Sequence, residues 1–421
     1  MLAVVPLAAV WLGNPFVQPR GFARDLSVAF GYLAFALLLL QFALVSRLGP
    51  VSRPFGADAL MQWHRGVGFV ALLLVVAHPL LLPGVSWNPL SGPTALQTGA
   101  IALWATVLIV LTSVGRRRLR LSYEVWQVLH LLLACAVAGT AAWHVLAIGG
   151  YSSTAAVRWT IAGYLALFAG LLVRYRMVRP LRLLSRPWCV VSNERIGYRT
   201  RLLRVRPVDH DGVRFLPGQF AWLVTGRSPL WSGQHPLSIA SSATMDQAGA
   251  IEFAVKALGD WSEMTVPTLR PGGRVWVDGA YGGFTPAPDA TDGLVLLAGG
   301  IGIAPMRSIL LTLRDRGEER PIWLFYAAAD WTRIVFREEI EALERDLNLR
   351  VCFVLERPDA DGSAERGYLT REILERYLPD DRTGFDYFVC GPVPMMDAVE
   401  GALRSLGVPN ARIHTERFQM V

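Results

Sequence analysis

Four of the seven histidines in the sequence form two pairs with one spacing: His64 with His78, and His130 with His144, each pair fourteen residues apart. All four stand in long apolar runs. Fourteen helical residues rise about 21 Å and return to within roughly 40° of the starting direction. Each helix would thus show two imidazoles on nearly one face, near opposite edges of a membrane core. If the two helices are neighbours, His64 lies level with His130 and His78 with His144. Two neutral imidazoles facing each other suit axial ligation of a haem iron. Ordinary polar residues satisfied within a bundle are the alternative, but polar groups are costly inside a membrane and here the spacing repeats. A metal bound without porphyrin would want clustered ligands, not pairs about 20 Å apart.

Two further stretches carry chemistry. Gly299–Pro305, reading GGIGIAP, joins a strand-like run to a helix-like one. Glycines there let a backbone approach a pyrophosphate, whose charge is favoured at a helix N-terminus. Pro305 stands where a third glycine of GxGxxG would come, and a plain strand-to-helix turn is the competing reading. The loop Gln234-His235-Pro236-Leu237-Ser238 follows the third strand-like run of its region. A hydroxyl there could hydrogen-bond the N5 edge of a flavin, and His235 could face the flavin's phosphates or ribityl chain. A surface loop is the alternative.

The elements that must position these groups divide the 421-residue chain in two. Residues 1–178 carry nearly all the long apolar runs, and residues 180–421 have mixed polarity. Spans are predicted at about 24–46, 61–83, 95–114, 123–148 and 157–177, each near the ~20 residues that cross a bilayer. Residues 2–13 are apolar but short, and fit a short first helix or an interfacial one. A signal peptide would want a basic stretch before it, which is absent. Counting that helix gives six spans. Arg47 and Arg53, then Arg116, Arg117, Arg118 and Arg120, then Arg174, Arg176, Arg179, Arg182 and Arg186 all fall on one side, which the positive-inside rule makes cytoplasmic. Arg65, Arg116 and Tyr123 lie at that edge, where haem propionates could meet them.

The net charge of +7 fits such loops, and no reading element for nucleic acid accompanies it. Cys135, Cys189, Cys352 and Cys390 show no CxxC spacing, which argues against a disulfide framework or zinc ribbon and for a reducing compartment. From about residue 187, short strand-like runs separated by Gly and Pro predict an antiparallel barrel. From about 293, alternating strands and helices predict a doubly wound parallel sheet. The expected fold class is therefore a multidomain membrane protein: a six-helix transmembrane bundle (1–180), an antiparallel β-barrel flavin domain (185–288) and an α/β dinucleotide domain (290–421).

These pieces occur in one order: two histidine pairs in the bundle, then HPLS, GDWS, GGIGIAP, CGP and a near-terminal phenylalanine. The whole chain resembles the NADPH oxidase and ferric reductase superfamily, its membrane half the ferric-reductase-type transmembrane domain and its soluble half the ferredoxin–NADP reductase module. The resemblance implies that His64, His78, His130 and His144 ligate two b-type haems. It assigns His235, Pro236, Leu237 and Ser238 to the flavin, Leu237 replacing an aromatic residue that oxidases usually carry. Gly259, Asp260, Trp261 and Ser262 would support the FAD diphosphate, and Gly299, Gly300, Gly302 and Pro305 that of NADPH or NADH. Cys390, Gly391 and Pro392 would approach the nicotinamide, and Phe418 would stack on the isoalloxazine. Ser238, Cys390 and Phe418 are the residues expected nearest the chemistry.

The implied activity moves electrons from cytosolic NAD(P)H through FAD and two haems to an acceptor across the lipid bilayer of the cell membrane. Oxygen, giving superoxide, is the favoured acceptor, because Asp25 is the only acidic residue expected on the outer side and a tight ferric site wants hard oxygen ligands. A ferric-chelate or other metal reductase is the alternative. A membrane-anchored flavin reductase with a cytoplasmic partner is a further one, opposed by the paired histidines. Dinucleotide choice stays open: Asp330 suits an unphosphorylated ribose and Arg333 a 2′-phosphate. No calcium-loop motif is present, so constitutive activity is expected.

Overall fold

The computed structural model describes residues 2–13, 21–48, 57–82, 85, 88–230, 233–244, 249–287, 291–359 and 362–417. Two compact units meet in sequence at Arg179 and Pro180.

The first unit is helical. A 3-10 turn (Leu2–Val4) leads into α1 (Val5–Gly13), followed by α2 (Phe22–Val45), α3 (Ala57–Leu80), α4 (Thr94–Gly115), α5 (Tyr123–Ile148) and α6 (Ala155–Val173). A π-helical turn (Arg174–Val178) joins α6 to α7 (Arg179–Leu184). Among the described residues, five helices are long and apolar enough to cross a membrane. They are apolar all round because lipid replaces water: Trp63, Leu73, Trp104, Leu111, Leu132 and Trp159 are exposed. Where six spans were expected, the described residues hold five such helices and one short apolar segment, Leu2–Gly13. Twelve residues rise only about 18 Å, short of a bilayer core. The segment packs on α2 and α6, and the Tyr164 hydroxyl donates to the Leu2 carbonyl.

The second unit holds two sheets. The first is antiparallel, from β1 (Trp188–Gly197), β2 (Thr200–Pro207), β3 (Phe220–Val224), β4 (Gln234–Ser238), β5 (Ile251–Lys256) and β6 (Arg274–Tyr281), in the order β4-β3-β6-β1-β2-β5. Its end strands meet through a single bridge, Ile239 with Phe253, so the expected barrel is an antiparallel sheet closed at one point. The stretch Gln234–Ser238, expected as a loop, is a strand paired along its length with β3. Pro236 is tolerated because β4 is an end strand whose free side needs no donor.

The second sheet is parallel and six-stranded: β7 (Gly293–Gly299), β8 (Ile322–Ala328), β9 (Leu349–Leu355), β10 (Glu365–Arg366), β11 (Phe385–Cys390) and β12 (Ile413–Thr415), in the order β10-β9-β8-β7-β11-β12. Helices α8 (Ile303–Asp315), α9 (Arg337–Asp346), α10 (Arg371–Tyr377) and α11 (Val393–Ser405) cover its faces. Strands β7 and β11 are buried at every position, as a sheet covered on both faces requires.

Candidate functional site

The fold brings the histidines together in the expected pairs. The rings of His64 and His130 have centroids 6.2 Å apart, and those of His78 and His144 are 6.1 Å apart. These separations exceed direct ring contact. A metal–imidazole bond of about 2 Å on each side, with roughly 1 Å more to each ring centre, fills a gap of ~6 Å. Among the described residues, no group of three or more His, Cys, Asp or Glu could hold a metal. The two-imidazole sites are what the unit offers.

The other ring nitrogen is tied down. His78 Nδ1 donates to the Ser27 carbonyl at 2.7 Å, and the Ser27 hydroxyl donates to the His78 carbonyl at 2.7 Å. His144 Nδ1 donates to the Ala95 carbonyl at 2.6 Å. His130 Nδ1 meets Ser113 Oγ at 3.3 Å, and that hydroxyl donates onward to Ile109. Such partners favour the tautomer in which Nε2 keeps its lone pair, the form a metal ligand would need. His64 Nδ1 faces the Gln41 backbone without closing a hydrogen bond.

Two glycines make room for these rings. A β-carbon at Gly31 would lie 3.1 Å from His78, and one at Gly99 would lie 2.6 Å from His144 Nδ1. Each glycine stands four residues after the carbonyl that holds the same ring, Ser27 on α2 and Ala95 on α4. Each helix thus uses one turn twice, to accept from Nδ1 and to admit the imidazole. A cavity of about 800 Å³ opens at His78 and His144, lined by Gly31, Phe35, Gly99 and Leu103 and rimmed by Arg24. Its size and apolar walls suit a large flat ligand.

In the second unit, the glycine turn and the CGP stretch touch. Strands β7 and β11 pair in register, Ala298 opposite Cys390. A β-carbon on Gly302 would strike the Cys390 carbonyl, and one on Gly299 would come within 2.7 Å of Pro392. Gly391 lies against Gly299 in the same way. Gly300 has φ +54°, a left-handed conformation that a side chain would strain. Pro305 is buried in the first turn of α8. Burial pushes the Cys390 thiol far above its ordinary range, and the nearby Glu416 carboxylate adds to the effect.

Two residues beside this turn were missed from sequence. Lys256, the only lysine of the chain, places Nζ 3.6 Å from a β-carbon built on Gly300. Arg333 and Arg199 stand near it, and burial with these charges lowers its pKa. Its uniqueness among forty arginines was the available signal. Glu416 is 6% exposed, and its carboxylate lies against Gly282. Asp330 accepts from Thr332 at 2.6 Å and from Arg357 at 2.9 Å, with Arg333 at 3.5 Å. The Thr332 hydrogen bond, ahead of these charges, holds its carboxyl below the usual range.

HPLS and GDWS also converge. His235 stacks on Trp261 with centroids 3.8 Å apart, and the indole donates to Thr225 Oγ1 at 2.9 Å. Leu237 packs against the core of the antiparallel sheet, and Ser238 ends β4 opposite Phe220. The Ser262 hydroxyl accepts from the Leu258 and Gly259 amides at 2.9 and 3.0 Å, closing the turn before Trp261. Arg65 is exposed, and arginines other than it gather at the His64 and His130 end of the bundle. Phe418 lies outside the described residues.

Comparison with known proteins fits both halves. Residues 30–141 match the ferric reductase like transmembrane component, and residues 296–401 match the oxidoreductase NAD-binding domain. The chain has the fused architecture of the ferric reductase and NADPH oxidase-like proteins. In this ferric-reductase-like chain the transmembrane match holds His64, His78 and His130, while His144 lies just beyond its end. The NAD-binding match holds the glycine turn and Cys390. The chain is 27% identical over 232 residues to the toluate 1,2-dioxygenase electron transfer component of Pseudomonas putida, covering 54% of this chain and 66% of that protein, just under two thirds. It is 28% identical over 240 residues to ferredoxin–NADP reductase B of Sorangium cellulosum, covering 52% of this chain and 97% of that one. In fold, it is similar to the FAD/NAD-binding domain of nitric oxide dioxygenase from Vibrio cholerae, with TM-score 0.50, 22% identity, and coverage of 55% of this chain and 98% of that one.

Proposed function

We propose that this chain is a transmembrane oxidoreductase that carries electrons from cytosolic NAD(P)H, through FAD and two b-type haems, to oxygen on the far side of the cell membrane, giving superoxide. The observation that carries the reading is the pair of two-imidazole sites, with ring separations of 6.2 and 6.1 Å, on a chain that also holds an NAD-binding domain. His64 and His130 would hold one haem, and His78 and His144 the other. His235, Pro236, Leu237, Ser238, Gly259, Trp261 and Ser262 would hold the flavin. The dinucleotide would lie on Gly299, Gly300, Gly302 and Pro305, with Gly391 and Pro392 beside it and Phe418 stacking on the flavin. Held there, the flavin would supply two-electron hydride chemistry coupled to one-electron transfer, and the haems would supply one-electron relay.

The chain's own groups do the positioning. Lys256, beside Arg199 and Arg333, supplies compact positive charge at the glycine turn, suited to a phosphate. The Cys390 thiol stays protonated at neutral pH and packs the reaction face without adding charge. Asp330 is compensated by Arg357 and Arg333, so its charge no longer opposes a 2′-phosphate, and NADPH use is favoured. Carbonyls of Ser27 and Ala95 orient the histidines of the far pair. Outward movement of each electron is downhill by ~2.3 kcal/mol per 100 mV of normal membrane potential.

Oxygen is preferred over a ferric chelate because the carboxylate expected on the outer side, Asp25, is engaged by the Tyr151 hydroxyl at 2.5 Å. The test is NADPH- and NADH-driven cytochrome c reduction by the purified chain loaded with haem and FAD, with and without superoxide dismutase. Abolition of the signal by the dismutase supports oxygen. Undiminished reduction with reduced haem moves a metal reductase ahead.

A further inference from the structure

We infer that Gln41 is a positioning residue for His64: its side-chain amide is the hydrogen-bond acceptor that orients this imidazole and sets the reduction potential of the haem held by His64 and His130. The inference rests on reading those two histidines as haem ligands.

Helix α2 attends to both histidines of α3. Ser27 meets His78 near one end, and the Gln41 backbone faces His64 near the other. The two α2 residues are fourteen apart, as the two histidines are. Helices of one rise and twist, running in opposite directions, keep that register. At the Ser27 level the contact is closed twice. The carbonyl accepts from His78 Nδ1 at 2.7 Å, and the hydroxyl oxygen lies 3.1 Å from the same nitrogen. Gln41 is the counterpart of Ser27 at the other level, with a longer side chain.

That second level is left open. His64 Nδ1 is buried with no hydrogen-bond partner among the described residues, unlike Nδ1 of His78, His130 and His144. Both amide atoms of Gln41, Oε1 and Nε2, are also buried with no partner among the described residues. A donor and an acceptor that each lack what the other offers thus stand on neighbouring residues. Unpaired polar atoms are costly when buried, and more so in a bundle surrounded by lipid. Gly68 gives the amide its place. It stands one turn beyond His64 on α3, and a β-carbon on it would lie 3.4 Å from Gln41 Nε2. A half-turn about the last torsion of the glutamine exchanges Nε2 and Oε1, which presents an acceptor.

A buried glutamine can instead tie two helices together. Among the described residues this amide holds no group on another helix, so it is not serving as such a tie. An acceptor on Nδ1–H makes the imidazole a stronger donor through Nε2. A stronger axial donor favours ferric over ferrous iron and lowers the potential. Gln41 would act on one haem alone, because the rings of the other are held by Ser27 and Ala95.

The test is redox titration of the full-length chain in detergent, loaded with haem, with Gln41 kept, with Gln41→Met and with Gln41→Glu. Methionine removes the amide at similar length, and glutamate keeps an oxygen acceptor. Each form is also made with His144→Leu or with His130→Leu, so that each histidine pair is read by itself. With His144→Leu, Gln41→Met should raise the haem potential by about 59 mV. That is the one-electron equivalent of a tenfold loss of ferric preference, the lower end of what an outer-shell partner contributes. Gln41→Glu should hold the potential at or below its value with Gln41. With His130→Leu, neither change should move it. Selective loss of the His64 haem in Gln41→Met, restored in Gln41→Glu, supports the inference equally. An unmoved potential in Gln41→Met would overturn it. Equal shifts or equal haem losses in both backgrounds would overturn it too, since a residue that only packs helices acts on both sites. Failure of wild type to bind haem, or two haems retained in either leucine background, would instead sink the histidine-pair reading.

Discussion

Gly99 stands so close to His144 that a β-carbon on it would lie 2.6 Å from Nδ1, the atom already held by the Ala95 carbonyl. The ring cannot retreat without losing that hydrogen bond, so Gly99→Ala should misplace His144. Haem content should fall from two per chain toward one, with the remaining haem spectrally normal. Gly31→Ala should do less to His78, because its contact is 3.1 Å. Pyridine haemochrome assay against protein concentration measures this. Full haem content in Gly99→Ala would mean the glycine is only a helix-packing residue.

Lys256→Ala should raise KM for NAD(P)H roughly tenfold or more while leaving kcat near wild type, since a charge-assisted contact is worth ~1.5–3 kcal/mol. Lys256→Arg should recover part of it: the charge returns, but a planar fork replaces a compact ammonium. A fall in kcat with KM unchanged would place the lysine elsewhere in the reaction.

The same lysine predicts a pH dependence. Burial, then Arg333 and Arg199, lowers its pKa from the ordinary 10.5. Only the charged form attracts phosphate, so binding is strongest below the lowered pKa and weakens as pH rises through it. KM in wild type should begin to climb at a lower pH than an exposed lysine would cause. In Lys256→Arg that climb should vanish, because guanidinium stays charged. Parallel KM profiles for the two proteins would refute the assignment.

Arg307 joins the two sheets of the second unit. It donates to Glu339 at 2.6 and 2.9 Å, to Glu252 on β5 at 2.7 Å and to the Ala240 carbonyl at 2.9 Å, and it is 7% exposed. Arg307→Met leaves two carboxylates facing each other without their cation. That should cost about 3–5 kcal/mol, the scale for removing one partner of a buried pair. Thermal release of flavin fluorescence should fall by several degrees. A melting temperature equal to wild type would show that the network carries no net stability.

Cys390 is 2% exposed, and its thiol is held protonated by burial first and by Glu416 second. The thiolate is the reactive form, so maleimide at neutral pH should spare Cys390 in the native chain and label it after denaturation. Peptide mass spectrometry separates it from Cys135, Cys189 and Cys352, which are partly accessible. Stoichiometric labelling of native Cys390 would show that the strand end opens to solvent.

Local signals in the sequence determined a good deal. The fourteen-residue spacing put two histidines on one face of each helix, because helical rise and twist are fixed by the backbone. Apolar runs of bilayer length marked the spans at Phe22–Val45, Thr94–Gly115 and Tyr123–Ile148 to within a few residues. Alternation of strands and helices after residue 290 dictated the parallel sheet, and the glycines at 299, 300 and 302 announced a close backbone approach. What the tertiary structure decided was which residues meet across the chain. Nothing local links Gly31 to His78 or Gly99 to His144, because a glycine's purpose there lies in the ring of another helix. The Gln234–Ser238 stretch became a strand only because β3 offered it a partner and its other side was an end. Lys256 reads as an ordinary strand-end lysine until the fold lays it beside Gly300, from a different sheet. Arg176 likewise looks like one more positive-inside residue. Only the turn after α6 buries its Nε and lays it against Tyr175, since burial is a property of packing rather than of spacing.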